Sequence, residues 1–316
     1  MSELPISKAS VADGSVEQAR LRRARFVRLA SPYLLILPSV ILMSVIILVP
    51  LVRGILMSFN EVDIINQGKM QFVGLKNYIT LLDDPVFFTA IRNTMVWTLG
   101  VVFFQYVIGL SVALLLNEPI PLRGMFRGLV LVPWVVPSVV AALVWRWIYV
   151  PDYGILNHLL RLLYIIQDPL QWLSDSKLAM IAVIVVGVWK GIPFMAVVLL
   201  AGLQSIPKEL YDAAEVDGAS IIQRFRYVTI PNLRYLSTIV ILLSIIWTFN
   251  SFDLVYVMTK GGPSNATHLL STYAYLTAFT FIDFGYAAAL SVVMLLVLLV
   301  FAMIFSRLLK RGSEQY

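Results

Sequence analysis

Hydrophobic positions in this chain gather into long unbroken blocks instead of alternating with polar ones. Runs 29–52, 93–117 and 284–306 contain no Asp, Glu, Lys or Arg. A helix needs about 20 residues to cross a bilayer's hydrocarbon core. The blocks therefore predict membrane-spanning helices over 31–57, 91–117, 127–149, 178–204, 235–258 and 284–307. The fourth of them carries one charge, Lys190. The first is too long for a cleaved secretory signal and lacks a small-residue cleavage site. The pattern predicts an all-α polytopic membrane protein with six spans.

One polar segment interrupts this greasy pattern: S-I-P-K-E-L-Y-D-A-A-E-V-D-G-A-S-I-I-Q-R-F-R-Y-V-T-I-P at 205–231. Ser205 is suited to cap a helix that Pro207 helps to start. That helix is expected to end near Val216 or Asp217, with Gly218 supplying a left-handed stop. Ser220 followed by Gln223 has capping-box spacing and opens a second short helix. Pro231 is expected to keep that helix from continuing unbroken. Leu210, Ala213, Ala214 and Asp217 fall on one face of the first helix. On its residues alone the elbow is either an amphipathic connector lying on the membrane or a docking surface with a small-residue face.

A second uncharged stretch, 261–282, is long enough to suggest a seventh span. It opens with Gly261-Gly262-Pro263 and is rich in Ser, Thr, Tyr and Asn, with His268 among them. An interfacial or a re-entrant helix suits that polarity better than a crossing.

Composition supports the membrane reading. Hydrophobic residues make up 59% and charged residues 13% of 316, against about 25% charged in soluble domains. Charge then sets the orientation. With the N-terminus, the 118–126 loop, the elbow and the C-terminal tail on one face, that face holds 15 of the 24 basic residues, Arg127 and Arg307 included, and 9 of the 18 acidic ones. The positive-inside rule puts this face, with both termini, in the cytoplasm. The net +6 is thus a topology signal and not a nucleic-acid footprint, and the partner it implies is membrane lipid. The basic run Arg20, Arg22, Arg23, Arg25 and Arg28 suits the anionic inner leaflet.

The sequence offers little for catalysis. There is no cysteine, which leaves no disulfide or thiolate metal site. Its two histidines, His158 and His268, stand outside any H-E-x-x-H pattern, so no metal site is expected. No phosphate-binding G-x-x-x-x-G-K-[S/T] loop exists; Gly68-Lys69 is followed by Met70. Any ATP-driven work must be powered by another chain, and this one is not expected to be an enzyme.

A solute path is legible in two places. Trp189-Lys190-Gly191-Ile192-Pro193 sets a charge, a flexible residue and a helix breaker in mid-span, and intramembrane charges are costly enough to mark function. Lys190 is suited either to meet solute or to pair with a carboxylate of a partner subunit. In the fifth span Trp247, Asn250 and Asp253 recur at three-residue spacing and are expected to form one stripe. An aromatic face, an amide and a carboxylate suit sugar rings and hydroxyls. Arg146, between Trp145 and Trp147, reads as an interface anchor.

The elbow's Asp212-Ala213-Ala214, then Gly218, then Ile230-Pro231, resembles the "EAA" loop of binding-protein-dependent ABC importer permeases. Asp212 stands where that pattern has Glu, one methylene shorter. Leu75-Lys76-Asn77-Tyr78, Pro151-Asp152-Tyr153-Gly154, Trp189 to Phe194, Asn250-Ser251-Phe252-Asp253 and Gly261-Gly262-Pro263 extend the likeness over nearly everything after residue 30. Together they are similar to the carbohydrate-uptake branch, which includes the maltose and glycerol-3-phosphate permeases.

The resemblance implies a type I ABC importer permease fold in a bacterial or archaeal cytoplasmic membrane. It implies coupling to an ATPase through Asp212, Ala213, Ala214, Asp217, Gly218 and Pro231. The implied partners are a second permease subunit in a heterodimer, two ATP-binding cassette subunits holding ATP and Mg, and an extracytoplasmic solute-binding protein. Residues 1–30 are then a cytoplasmic tail, 31–310 the permease domain with its elbow at 205–231, and 311–316 a second tail. Two alternatives compete on residues alone: an ion-coupled secondary transporter of small polar solutes, and a structural subunit or channel. The scarcity of buried acids and the lack of an inverted repeat count against the first.

Overall fold

The computed structural model describes residues 32–63 and 69–313. The expected 1–30 tail and its arginine run lie outside them. Among the described residues, five helices are long and apolar enough to cross a membrane, or six if one sharply bent pair counts as a single span. The chain divides into two units at Leu56 and Met57.

The described residues of the first unit, 32–56, lie in helix α1 (Pro32–Met57). None of its residues is buried within the chain. Its ladder slips into a π stretch over Ser44–Leu48, where the Val49 N–H reaches the Ser44 carbonyl. Pro50 follows at once. A proline lacks the donor for the i−4 carbonyl and its ring clashes there, and the wider turn removes the conflict.

The second unit opens with a small antiparallel hairpin, β1 (Asn60–Asp63) and β2 (Lys69–Phe72), with Asn60 opposite Phe72. This hairpin has no counterpart in the hydrophobic pattern, which registers only long elements. Helix α2 (Lys76–Asp83) braces it: Asn77 Nδ2 donates to the Ser58 and Asn60 carbonyls at 2.9 and 3.1 Å.

The core is a parallel pair, α3 (Pro85–Asn117) and α7 (Leu178–Ser205). Small residues let the two backbones meet. A Cβ on Gly109 would lie 2.5 Å from Met195 Cβ, and one on Gly187 would lie 2.6 Å from the Trp97 ring. In lipid, where burying apolar surface drives no association, such close packing holds helices together. Trp97 Nε1 also donates to the Thr248 carbonyl at 2.9 Å, tying in the next span.

Two expected spans differ from the structure. The region 127–149 is not one helix but two, α4 (Arg123–Val135) and α5 (Ser138–Ile148), bent by 96°. The cause is Pro137, which forces Val136 into extended backbone (φ −66°, ψ 126°). Conversely, α7 passes through Pro193 without breaking. The fifth span begins at 221 and not 235: α9 (Ile221–Phe249) joins the elbow's second helix to the membrane helix. Pro231 does not interrupt it, because a second π stretch, Phe225–Thr229, precedes the proline as in α1. The span then ends at Phe249, and α10 (Asp253–Thr259) is a separate helix.

The remaining elements complete the far side, the end opposite the elbow. Helix α6 (Ile155–Leu162) lies in the 149–177 connection, organised by the buried Asn157, whose Oδ1 accepts from Trp172 Nε1 at 2.8 Å. Helix α11 (Leu270–Phe279) has 10 residues, half the length of a span. Helix α12 (Phe284–Ser313) returns to the elbow side, running three residues past the expected domain end at 310.

Candidate functional site

At the elbow, α8 (Lys208–Val216) is joined to α9 through Asp217-Gly218-Ala219-Ser220. Gly218 has φ +75°, the left-handed stop the sequence predicts. Ser220 closes the predicted capping box: its Oγ accepts from Gln223 N, and Gln223 Oε1 accepts from Ser220 N at 2.7 Å. Ser205 does not cap α8. The chain reaches Pro207 before α8 begins, so Ser205 ends α7 instead and donates to the Gly202 carbonyl at 2.7 Å.

Two contacts fasten α8 to α9. Glu215 and Arg224 pair at 2.9 Å, and the Tyr211 and Thr229 hydroxyls lie 3.0 Å apart. The surface they hold in place is apolar as well as acidic. Val216 is 88% exposed, Ile221 and Ile222 are each 77% exposed, and Leu210 and Tyr227 join them. Asp212, Ala213 and Asp217 are exposed and Ala214 is half-buried. Exposed apolar side chains on an ordered element suit contact with a protein or with the membrane.

Deeper, a cavity of about 240 Å³ lies between α3, α7, α9 and the α4–α5 break. Lys190 and Trp247 line it together with Gln105, Trp134, Ser138 and Thr248. Lys190 Nζ donates to the Val136 carbonyl at 2.6 Å. That carbonyl sits at the proline break, where no helical N–H serves it, so the lysine satisfies an acceptor that would otherwise be stranded in a span. Gln105 lies across α7, donating to the Gly187 carbonyl at 3.0 Å, in a space that only Gly191 leaves open. Phe194 meets Trp247 edge-on at 4.9 Å.

Asn250 and Asp253 do not join this group. Asn250 caps α9 and folds its amide onto the Ile246 carbonyl at 2.8 Å, while Asp253 opens α10 beyond the break. A three-residue spacing makes a stripe only where a helix runs through it, and here it does not. Gln105 and the Val136 carbonyl escaped the sequence reading. The signal for the second was present, a Val-Pro step inside an apolar block.

The far side carries a wider cleft, about 1010 Å³, lined by Arg146, Trp147, Tyr153 and Lys260 among others. Arg146 Nη1 reaches the Val257 carbonyl at 3.3 Å. Asp84 ties three elements together. Its Oδ1 caps α3 at Val86 N (2.8 Å), and its Oδ2 accepts from Tyr273 and Tyr286 at 2.5 and 2.6 Å. Burial acts to raise this carboxyl, but the two hydroxyls and the Val86 and Phe87 amides outweigh it and hold it below the usual carboxylate range. His268 is buried against Gly261, with Nδ1 3.1 Å from Thr272 Oγ1, and burial pushes its imidazole below the ordinary value. Among the described residues, no cluster of three His, Cys, Asp or Glu could hold a metal ion.

Comparison with known proteins places the chain. Residues 105–314 match the model of the family described as binding-protein-dependent transport system inner membrane component. A probable ABC transporter permease protein of Brucella suis is 39% identical over 283 residues, covering 90% of this chain and 98% of that protein. The trehalose/maltose transport system permease protein MalF of Thermococcus litoralis is 36% identical over 273 residues, covering 86% and 91%. Among solved structures, a chain of a bacterial ABC transporter involved in the import of the acidic polysaccharide alginate superposes with a TM-score of 0.79 at 22% identity, covering 92% of this chain and 99% of that one.

Proposed function

The chain belongs to the binding-protein-dependent transport system inner membrane components, and from that premise we propose that it is one of two permease subunits of an ATP-driven sugar importer. The sugar class rests on the trehalose/maltose permease among its relatives. Family membership sets aside the ion-coupled carrier, since a relative covering 90% of the chain is named a probable ABC transporter permease. The family is a transport component, and ATP with Mg is assigned to two separate cassette subunits.

The observation that carries the reading is the elbow. Its exposed Val216, Ile221 and Ile222 offer apolar area to a partner, and its ties to α9 make it a lever continuous with a membrane span. By the basic excess on its side, the elbow and both termini face the cytoplasm. A cassette dimer that closes on ATP then moves α8, and α9 carries the motion to the cavity around Lys190 and Trp247. Solute arrives from an extracytoplasmic binding protein docked on the far side, and hydrolysis resets the cycle.

Replacing Ala213 with Trp or Gly218 with Val tests the lever. Gly218 has open space for a side chain but a φ that L residues rarely adopt. The expected result is loss of ATP-coupled uptake with the protein still in the membrane and still paired with the second permease. Unchanged coupled uptake in both variants overturns the assignment.

A further inference from the structure

Gly261-Gly262-Pro263 and His268 belong to one far-side loop, 259–268, that the lever between elbow and cavity does not use. The loop is tied internally and to α3. The Thr259 and Thr267 hydroxyls lie 2.7 Å apart, Thr267 Oγ1 donates to the Gly262 carbonyl at 2.7 Å, and Asn93 Nδ2 donates to the Asn265 carbonyl at 2.9 Å. Lys260, Ser264 and Asn265 hold left-handed backbone, at φ 52°, 47° and 64°, without being glycine. Such conformations persist only where the surroundings over-determine them. The His268 ring supplies part of that constraint. It fills a slot against Gly261, where an added Cβ would come within 2.5 Å of Nδ1. The ring is 6% exposed within this chain alone, so an added subunit can only cover it further.

The slot suits a neutral imidazole and not a cation. Nδ1 has Thr272 Oγ1 at 3.1 Å, and among the described residues no acceptor is bonded to Nε2 and no carboxylate pairs with the ring. The titratable group facing it is Tyr273 of α11, edge-on at 5.8 Å, with its hydroxyl committed to Asp84, which Tyr286 of α12 also serves. Asn93 and Thr94, which meet the loop and the start of α11 from α3, carry no charge. Lys260, next to Gly261, has the same sign as a protonated ring. His268 also stands just before the first turn of α11, where the helix dipole disfavours a cation. Burial holds the imidazole below its ordinary value. The seated ring therefore stabilises the loop fully above about pH 6.5, and that stability is lost as pH falls toward the lower folded value.

We propose that His268 is an acid-released pin: protonation expels the imidazole from its slot against Gly261 and frees loop 259–268. Thr259, Lys260, Gly262 and Pro263 of this loop line the far-side cleft, so its release reshapes that cleft. The consequence for transport rests on the importer reading and on the far side being extracytoplasmic: acid outside slows the cycle.

The test reads the assembled importer in two ways. In nanodiscs, hydrogen exchange is followed at the Thr267 and His268 amides, which donate to the Gly261 and Asn265 carbonyls. The two conditions are about pH 7.5 and about pH 5, either side of an ordinary histidine, with intrinsic exchange rates corrected for. The expected result is a loss of protection in acid of at least about threefold, with α7 amides unchanged. His268→Gln, which keeps a polar group for Thr272 and takes no charge, shows no such loss, and it retains the other histidine, His158. Gly261→Ala, which fills the slot, shows at neutral pH the low protection that the wild type shows in acid. In proteoliposomes holding ATP at neutral pH, with the binding protein and acid added outside, stimulated turnover falls more in the wild type than in His268→Gln. Asp84, held below the usual carboxylate range, keeps its charge throughout. Identical pH profiles for the wild type and His268→Gln, in exchange or in turnover, overturn the proposal. So does a loss of protection that α7 shares, since that is general unfolding. A chain that assembles with no cassette subunit sinks the importer reading instead, and exchange alone then decides the pin.

Discussion

The contact between α3 and α7 makes a sharp prediction, because two glycines on one helix face the same partner with different clearances. At Gly109 an added Cβ meets Met195 Cβ at 2.5 Å and the Ala196 backbone nitrogen at 3.2 Å. Carbon atoms pack best near 3.5–4.0 Å, and neither obstacle is the free end of a flexible chain. The helices must therefore separate by about 1 Å, which loosens the layer of Leu110, Ala113, Met195 and Leu199. Overpacking of this kind costs about 1–3 kcal/mol. At Gly100 the nearest atom is Ile184 Cδ1 at 3.4 Å, a rotatable methyl. There, the gain in helix propensity, up to about 1 kcal/mol, meets little opposition. Thermal unfolding of the detergent-solubilised complex, followed by size-exclusion chromatography after heating, should show Gly109→Ala lowered by several degrees and Gly100→Ala unchanged or raised. A Gly109→Ala variant as stable as Gly100→Ala would refute the close-packing argument.

Two further outcomes follow from the far side and the broken span. Asp84 has a depressed carboxyl, so its contribution to stability is present above its unfolded value near pH 3.9 and is lost as pH falls through its lower folded value. Asp84→Asn keeps the cap and should unfold at a lower temperature at pH 7; its midpoint should also vary less than wild type below about pH 4. Pro137→Ala restores a backbone donor at the break and lets α4 and α5 straighten. Spin labels on the two helices should then move apart and transport should fall, and an unchanged distance counts against the proline as the cause of the bend.

How much of this was readable from residues depends on scale. Long charge-free blocks found the membrane helices, and the elbow's Gly218 and Ser220–Gln223 pair placed its turn and cap correctly, because those signals are local. The misjudged points involve proline in a context the sequence hides. Pro193 and Pro231 sit within unbroken helices, the second because a π stretch absorbs the missing donor, whereas Pro137, less conspicuous among apolar neighbours, makes the real break. Lys190 stood out as a charge inside a span, but its Val136 acceptor is 54 residues away and invisible without the fold. The expected stripe of Trp247, Asn250 and Asp253 failed because it assumed that the helix continued past Phe249.

The central claim is that the exposed apolar face of the elbow seats an ATPase subunit and transmits its motion. Ile221→Glu places a charge at the middle of that face without touching the ties between α8 and α9. In complexes purified through this chain, the importer reading predicts loss of the cassette subunits, or of ATP turnover stimulated by binding protein and sugar, while the second permease stays bound. Full retention of the cassette subunits with undiminished stimulated turnover contradicts it.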